Sequence, residues 1–164
     1  MRTKLTFTAI VMVMLSCSPS ETKDTIAVPD KDNDKVVLAQ KMFDAFNQHR
    51  WDVMANYYSD SALFLDPAFG KTYLKQSRSQ TVDKYARFQS VFPDIKDEIV
   101  AMYPSDDKVI VEFVSRGTLI SGVKLELPIV TVLTYKDSLI VKDATYYDVE
   151  CFPEEENPGE IEIP

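Results

Sequence analysis

The chain has 164 residues, of which 45% are hydrophobic and 27% charged, and a formal net charge of -8. This length and apolar content suit one globular domain with a buried core. The acidic balance excludes nucleic acid and anionic lipid as favourable partners, because their phosphates would meet a surface of their own sign.

Arg2 and Lys4 precede an uncharged apolar run from Leu5 to Leu15, the charged start and apolar centre of a secretory signal. The run is too short for a comfortable transmembrane helix. Met14-Leu15-Ser16-Cys17 follows and resembles the lipobox of bacterial lipoproteins. That resemblance implies cleavage before Cys17, its lipidation, and an exported protein that is lipid-anchored in the bacterial cell envelope. An ordinary signal peptide that happens to contain a cysteine is the alternative, and it too implies export. Residues 1–17 are therefore read as a lipoprotein signal. Residues 18–34, rich in Ser, Thr, Pro, Asp and Lys, read as a flexible tether that holds the domain off the membrane.

The domain is expected over residues 35–152. Asn33 and Asp34 are good N-cap residues, and Leu38, Met42, Ala45 and Phe46 then share one helical face. This helix ends near His49. Trp51, Met54, Ala55 and Tyr58 predict a second short helix, broken at Ser59-Asp60. A turn at Gly70 leads to a third helix between Tyr73 and Val91, stopped by Phe92-Pro93-Asp94.

Beyond Pro93, Ile99 to Tyr103, Val109 to Arg116, Val123 to Leu133 and Leu139 to Tyr147 are rich in β-branched and aromatic residues. Short turn-forming segments separate them, which predicts antiparallel strands. Pro128 to Leu133 is apolar on both faces and is expected at the centre of the sheet. Residues 153–164, with five glutamates, read as an acidic tail. Once Cys17 is lipidated, Cys151 has no partner for an internal disulfide, and it reads as a small core hydrophobe.

Between the second and third helices, Ala62-Leu63-Phe64-Leu65-Asp66 is a short strand that ends in a carboxylate. Alternation puts Asp66 on the face of Ala62 and Phe64. An acid against such a wall loses hydration, which lifts its pKa toward values useful to a general base. The competing reading is an Asp-Pro turn whose side chain satisfies nearby amides.

Ala45-Phe46-Asn47, Trp51-Asp52, Tyr57 to Ala62 leading into Phe64 to Gly70, Phe92-Pro93-Asp94 and Tyr146-Tyr147-Asp148, in this order, resemble the SnoaL-like branch of the NTF2-like superfamily. The resemblance implies an α+β cone, with three N-terminal helices packed on a strongly curved, mainly antiparallel sheet that encloses a cavity. It also implies, in many members, a homodimer through the outer face of the sheet. Members include steroid isomerases, polyketide cyclases, epoxide hydrolases and dehydratases, alongside binding and scaffold proteins, so fold alone does not decide between enzyme and binder.

Carried over residue by residue, the base of the steroid isomerase branch is matched by Asp66, and the acid of the cyclase-like branch by Asp148. The two oxyanion donors of the isomerase fall on Met42 and Val130, which cannot donate strong hydrogen bonds. Arg116 and Glu112 share a face and suit an exposed ion pair. His49, at a helix end, suits a cap at the negative end of the dipole.

Trp51, Tyr58, Phe64, Phe88, Phe92 and Tyr146 are the aromatic residues expected to line a ligand pocket, although such spacings also suit plain core. No metal cluster and no cofactor is expected from one histidine, scattered carboxylates and four glycines. The function expected from the sequence is binding of a small apolar molecule in the cone cavity, oriented by Asp66, which would also assist a proton transfer. The alternative is a non-catalytic dimeric interaction module with a filled cavity.

Overall fold

The computed structural model describes residues 34–151. Cys17, expected to be lipidated, the expected signal, nearly all of the expected tether and the expected acidic tail lie outside the described residues. Asp34, assigned to the tether by composition, opens the first helix instead.

Helix α1, Asp34–Asn47, buries Val36, Ala39, Met42, Phe43, Ala45 and Phe46, one continuous stripe at helical spacing. It ends in a Schellman pattern, with the His49 amide donating to Phe46 O at 2.8 Å and the Arg50 amide to Ala45 O at 3.0 Å. This places His49 at a positive φ of 55°, the position that glycine usually fills. The His49 ring does not reach its own helix end. Gln89 Nε2 lies 2.9 Å from Nδ1, and Nε2 lies 2.8 Å from Ile95 O. With Gln89 donating to Nδ1, the proton sits on Nε2 and is given to the carbonyl. Gln89 Oε1 in turn accepts from Trp51 Nε1 at 2.8 Å, so His49 is tied into a structural chain.

Helix α2, Trp51–Ala55, leads into strand β1, Tyr58–Leu65, a one-turn 3-10 helix at Pro67–Phe69 and the short strand β2, Leu74–Gln76. Helix α3 runs from Arg78 to Val91. Ser77 accepts from the Gln80 amide while the Gln80 side chain accepts from the Ser77 amide, a capping box that fixes the start of the helix. The chain before that cap is therefore extended, where the sequence predicts helix from Tyr73. Strands β3, Lys96–Ser105, β4, Lys108–Thr118, β5, Lys124–Lys136, and β6, Leu139–Tyr146, complete the fold.

These strands form one sheet of order β2-β1-β6-β5-β4-β3. β1 runs parallel to β6 and every other pairing is antiparallel. The sheet is mainly antiparallel, as expected, with the one parallel pair β1 and β6. One expectation is corrected here: the helices are not all N-terminal to the sheet, since β1 and β2 separate α2 from α3. Register shifts at Tyr58/Leu63, Ile99/Ala101 and Thr134/Tyr135 bend the strands locally, and the sheet curls around α1. Pro128 sits in β5 opposite Val114 of β4, short of the pairing with β6, which begins at Val130.

The helices cover the inner face, α1 on β3 and β4, α3 on α2 and β1. Phe43 meets Phe113 edge-on at 5.0 Å, and Phe46 meets Trp51 at 5.2 Å and Tyr85 at 5.5 Å. Each such buried side chain contributes about 1.5–3 kcal/mol. Gly117 lets β4 approach the end of α3, since a Cβ there would lie 3.0 Å from Ile95 Cδ1 and 3.3 Å from Phe92 Cβ. Cys151, expected in the core, is exposed in a 3-10 turn after β6. Among the described residues no helix is long and apolar enough to cross a membrane.

Candidate functional site

Between α1, α3 and the concave face of the sheet lies a hollow of about 130 Å³. Met42, Phe43, Phe46, Phe64, Phe88 and Leu127 supply much of its apolar wall. Its polar lining comes from Asp66, Lys84, Arg87, Tyr147, Asp143 and the pair Asp97 and Ser115, with Tyr58, Tyr85, Thr131 and Thr145.

Asp66 follows β1 on the inward side shared with buried Ala62 and Phe64. It also caps the 3-10 turn, Oδ1 accepting from the Ala68 amide at 3.1 Å, so the carboxylate faces inward and satisfies a turn amide at once. Lys84 Nζ donates to Oδ2 at 2.9 Å and the Tyr147 hydroxyl to Oδ1 at 2.5 Å. Side-chain exposure of Lys84 and Asp66 is only 14% and 16%. Burial by itself raises the Asp66 pKa, but Lys84, Tyr147 and the Ala68 amide outweigh it and hold the carboxyl below its ordinary value. The raised pKa expected from the sequence is thereby reversed. Asp66 is an ionised group already engaged by three donors.

Lys84 projects from α3 into this corner. Burial favours its neutral form, yet Tyr85 and the Asp66 carboxylate push its pKa above the ordinary lysine value. The ammonium lies 4.9 Å from the Phe69 ring centre and 5.2 Å from that of Tyr85, within cation-π range. An ammonium has three N–H donors and Asp66 takes one. The Tyr147 phenol is raised by burial and by Asp66, so it stays a proton donor at neutral pH.

Asp143, on β6, is 6% exposed. It accepts from Thr131 Oγ1 at 2.5 Å, Tyr58 Oη at 2.8 Å and Thr145 Oγ1 at 3.0 Å. Burial raises its pKa against the opposing pull of these hydroxyls. Asp97, on β3, is 8% exposed, and burial raises it to about 7 against one hydrogen bond from Ser115. The site thus holds one carboxylate kept charged and two carboxyls biased toward neutrality. Among the described residues no group of three or more His, Cys, Asp or Glu side chains is placed to hold a metal ion.

Of the aromatic residues chosen from sequence, Tyr58, Phe64 and Phe88 border the hollow. Trp51 instead stacks on His49 at 5.3 Å and Tyr85 at 5.7 Å, and Phe92 packs against Phe88 at 5.1 Å. Tyr146 is 51% exposed on the outer face beside Val130. Asp148 is exposed too, its carboxylate accepting from the Glu150 amide at 3.0 Å. Met42 borders the hollow and Val130 does not. Arg116 forms its ion pairs with Glu98 and Glu126, not Glu112.

Sequence reasoning missed Lys84, Tyr147, Asp143 and Asp97. An acid embedded in an apolar strand was the available signal for Asp143, as it was for Asp66. Asp97 stands between Lys96 and Glu98, where a charge run hides the one member that turns inward.

The sequence pattern of the SnoaL-like domain family matches residues 39–142. Among solved structures, a putative SnoaL-like polyketide cyclase from Shewanella putrefaciens superposes with a TM-score of 0.63 at 16% identity, covering 74% of this chain and 84% of that one. A protein with a ketosteroid isomerase-like fold from Catenulispora acidiphila, in complex with trimethylamine, gives 0.62 at 19% identity, with 68% and 85% covered. SalBIII, an epoxide hydrolase/cyclase-like enzyme in pyran ring formation in the polyether salinomycin, gives 0.62 at 16% identity, with 71% and 92% covered. At such identities these likenesses speak for the fold alone. Comparison with curated proteins gives no match.

Proposed function

Since the chain belongs to the SnoaL-like family, we propose that its cavity binds a small, mainly apolar, uncharged molecule through an oxygen that accepts a hydrogen bond from Lys84. The observation that carries this reading is the Lys84–Asp66 ion pair on the wall of an apolar hollow. The pair is neutral as a unit, and Asp97 and Asp143 are biased toward their neutral forms. An anionic ligand on Lys84 would therefore sit beside the Asp66 carboxylate, a repulsion that Arg87, the other cation on the lining, would have to offset. A carbonyl-type oxygen takes the same N–H without that repulsion. A hollow of about 130 Å³ is below the usual 300–1,000 Å³ of ligand sites, so the ligand is compact.

In this reading Asp66 keeps Lys84 charged and oriented. It is a poor general base, because the donors that hold it ionised also weaken its pull on a further proton. Lys84 would polarise the bound carbonyl, and binding rather than turnover is the activity we assign. Lipidation at Cys17 would keep the domain at the envelope membrane. Pairing of two copies would use the outer sheet face, where Val100, Val130 and Tyr146 are exposed.

Calorimetric titration with methyl ketones from butanone to nonanone, beside carboxylates of equal length, tests the reading. Ketones are expected to bind at least about tenfold more tightly than the matching acids. Binding is expected to vanish in the double variant Lys84→Met, Asp66→Ser. Tighter binding of the acids, or no binding by either series, would refute it.

A further inference from the structure

Asp97 is a buried acid whose Oδ1 has no hydrogen-bond partner among the described residues, although the residue borders the cavity. Native proteins keep few such atoms, because an unsatisfied buried acceptor costs about 1–3 kcal/mol. Its backbone is fixed: Asn47 Oδ1 accepts from the Asp97 amide at 2.7 Å and Asn47 Nδ2 donates to its carbonyl at 2.8 Å. Register keeps the side chain beside Ser115, its partner on β4. Helix α1 and two strands therefore hold the carboxyl in one place, while its Oδ1 is left over. Leu125 and Leu127, next along the same sheet face, are apolar and offer it nothing.

The residues of the Lys84 corner lie on α3, on the end of β1 and just past β6. Asp97 and Ser115 lie on β3 and β4, at the other side of the sheet order. The hollow touches both groups, with Phe113, Ile129 and Leu127 supplying apolar surface on the strands between. We infer that Asp97 and Ser115 form a second polar subsite that accepts a hydroxyl of the bound molecule. The ligand class is then a compact hydroxy-ketone, its carbonyl on Lys84 and its hydroxyl on Asp97, separated by an apolar spacer. This inference rests on the Lys84 reading and narrows it from any uncharged acceptor to a two-ended one. It also accounts for the orphan oxygen, which the Lys84 corner does not explain.

The test is titration of the full domain with the same methyl ketones and with their analogues that carry a terminal hydroxyl. At one chain length the hydroxyl is expected to tighten binding about tenfold, the value of one added hydrogen bond to an otherwise unpaired buried acceptor. Asp97→Leu is expected to abolish that gain, so that ketone and hydroxy-ketone of equal length bind alike, and Asp97→Asn, which keeps an acceptor, to retain most of it. A reading free of substitutions accompanies these: the Asp97 carboxyl-carbon NMR signal should move with the hydroxy-ketone and stay put with the plain ketone. Plain ketones that bind while the hydroxyl weakens binding at every length would overturn the subsite and leave the Lys84 reading standing. Failure of both series would overturn both.

Discussion

Lys84 Nζ sits 2.9 Å from Asp66 Oδ2 with both side chains largely buried, so each residue is the reason the other can remain charged inside the cone. Neither could be charged there alone, because an isolated ion at that depth would shift its pKa and neutralise.

The pair should show as strong energetic coupling. Asp66→Ser keeps an oxygen for the Ala68 amide but leaves Lys84 unpaired, and Lys84→Met leaves Asp66 unpaired. Each is expected to cost about 3–5 kcal/mol in urea denaturation, and the double variant clearly less than the sum of the two. Additive losses would mean that the contact does not bind them.

Tyr147 donates to Asp66 Oδ1 at 2.5 Å, which favours the charged carboxyl. Tyr147→Phe is expected to move the Asp66 pKa upward toward its ordinary value, read by carboxyl NMR titration, and to cost about 1–2 kcal/mol. The sign for stability follows. A depressed folded-state pKa contributes stability that is fully present above the unfolded value of 3.8 and is lost as pH falls through the folded value. The variant should therefore lose less stability than wild type on acidification below about pH 4.

Asp97 has the opposite sign. Its folded pKa of about 7 lies above the ordinary 3.8, so the folded state binds the proton more tightly and stability falls as pH rises between those values. Asp97→Asn removes that dependence. Its stability advantage over wild type should grow from near zero at about pH 4 to on the order of 2–4 kcal/mol above pH 7, and then level off. An advantage that does not change with pH would show that the Asp97 carboxyl titrates normally.

The elements were legible where one physical signal dominated. Strands β3 to β6 follow from β-branched runs between turn residues, and α1 from the stripe through Met42 and Phe46. The start of α3 was misplaced because Tyr73 to Gln76 lacks Gly and Pro, while the decisive signal was the reciprocal Ser77–Gln80 cap. The site was legible only in part. Asp66 announced itself by ending an apolar strand, but its protonation depends on Lys84, eighteen residues on, and Tyr147, eighty-one residues on. Tyr146 and Tyr147 are adjacent and chemically alike. Only the register of β6 against β5 decides that the second reaches Asp66 and the first faces outward.

The most direct measurement is native mass spectrometry of the protein extracted from the cells that make it, in wild-type form and as the Lys84→Met, Asp66→Ser double variant. The account predicts a small neutral molecule retained by the wild type and absent from the folded double variant. A wild type that retains nothing, or a double variant that retains the same molecule equally well, would contradict it.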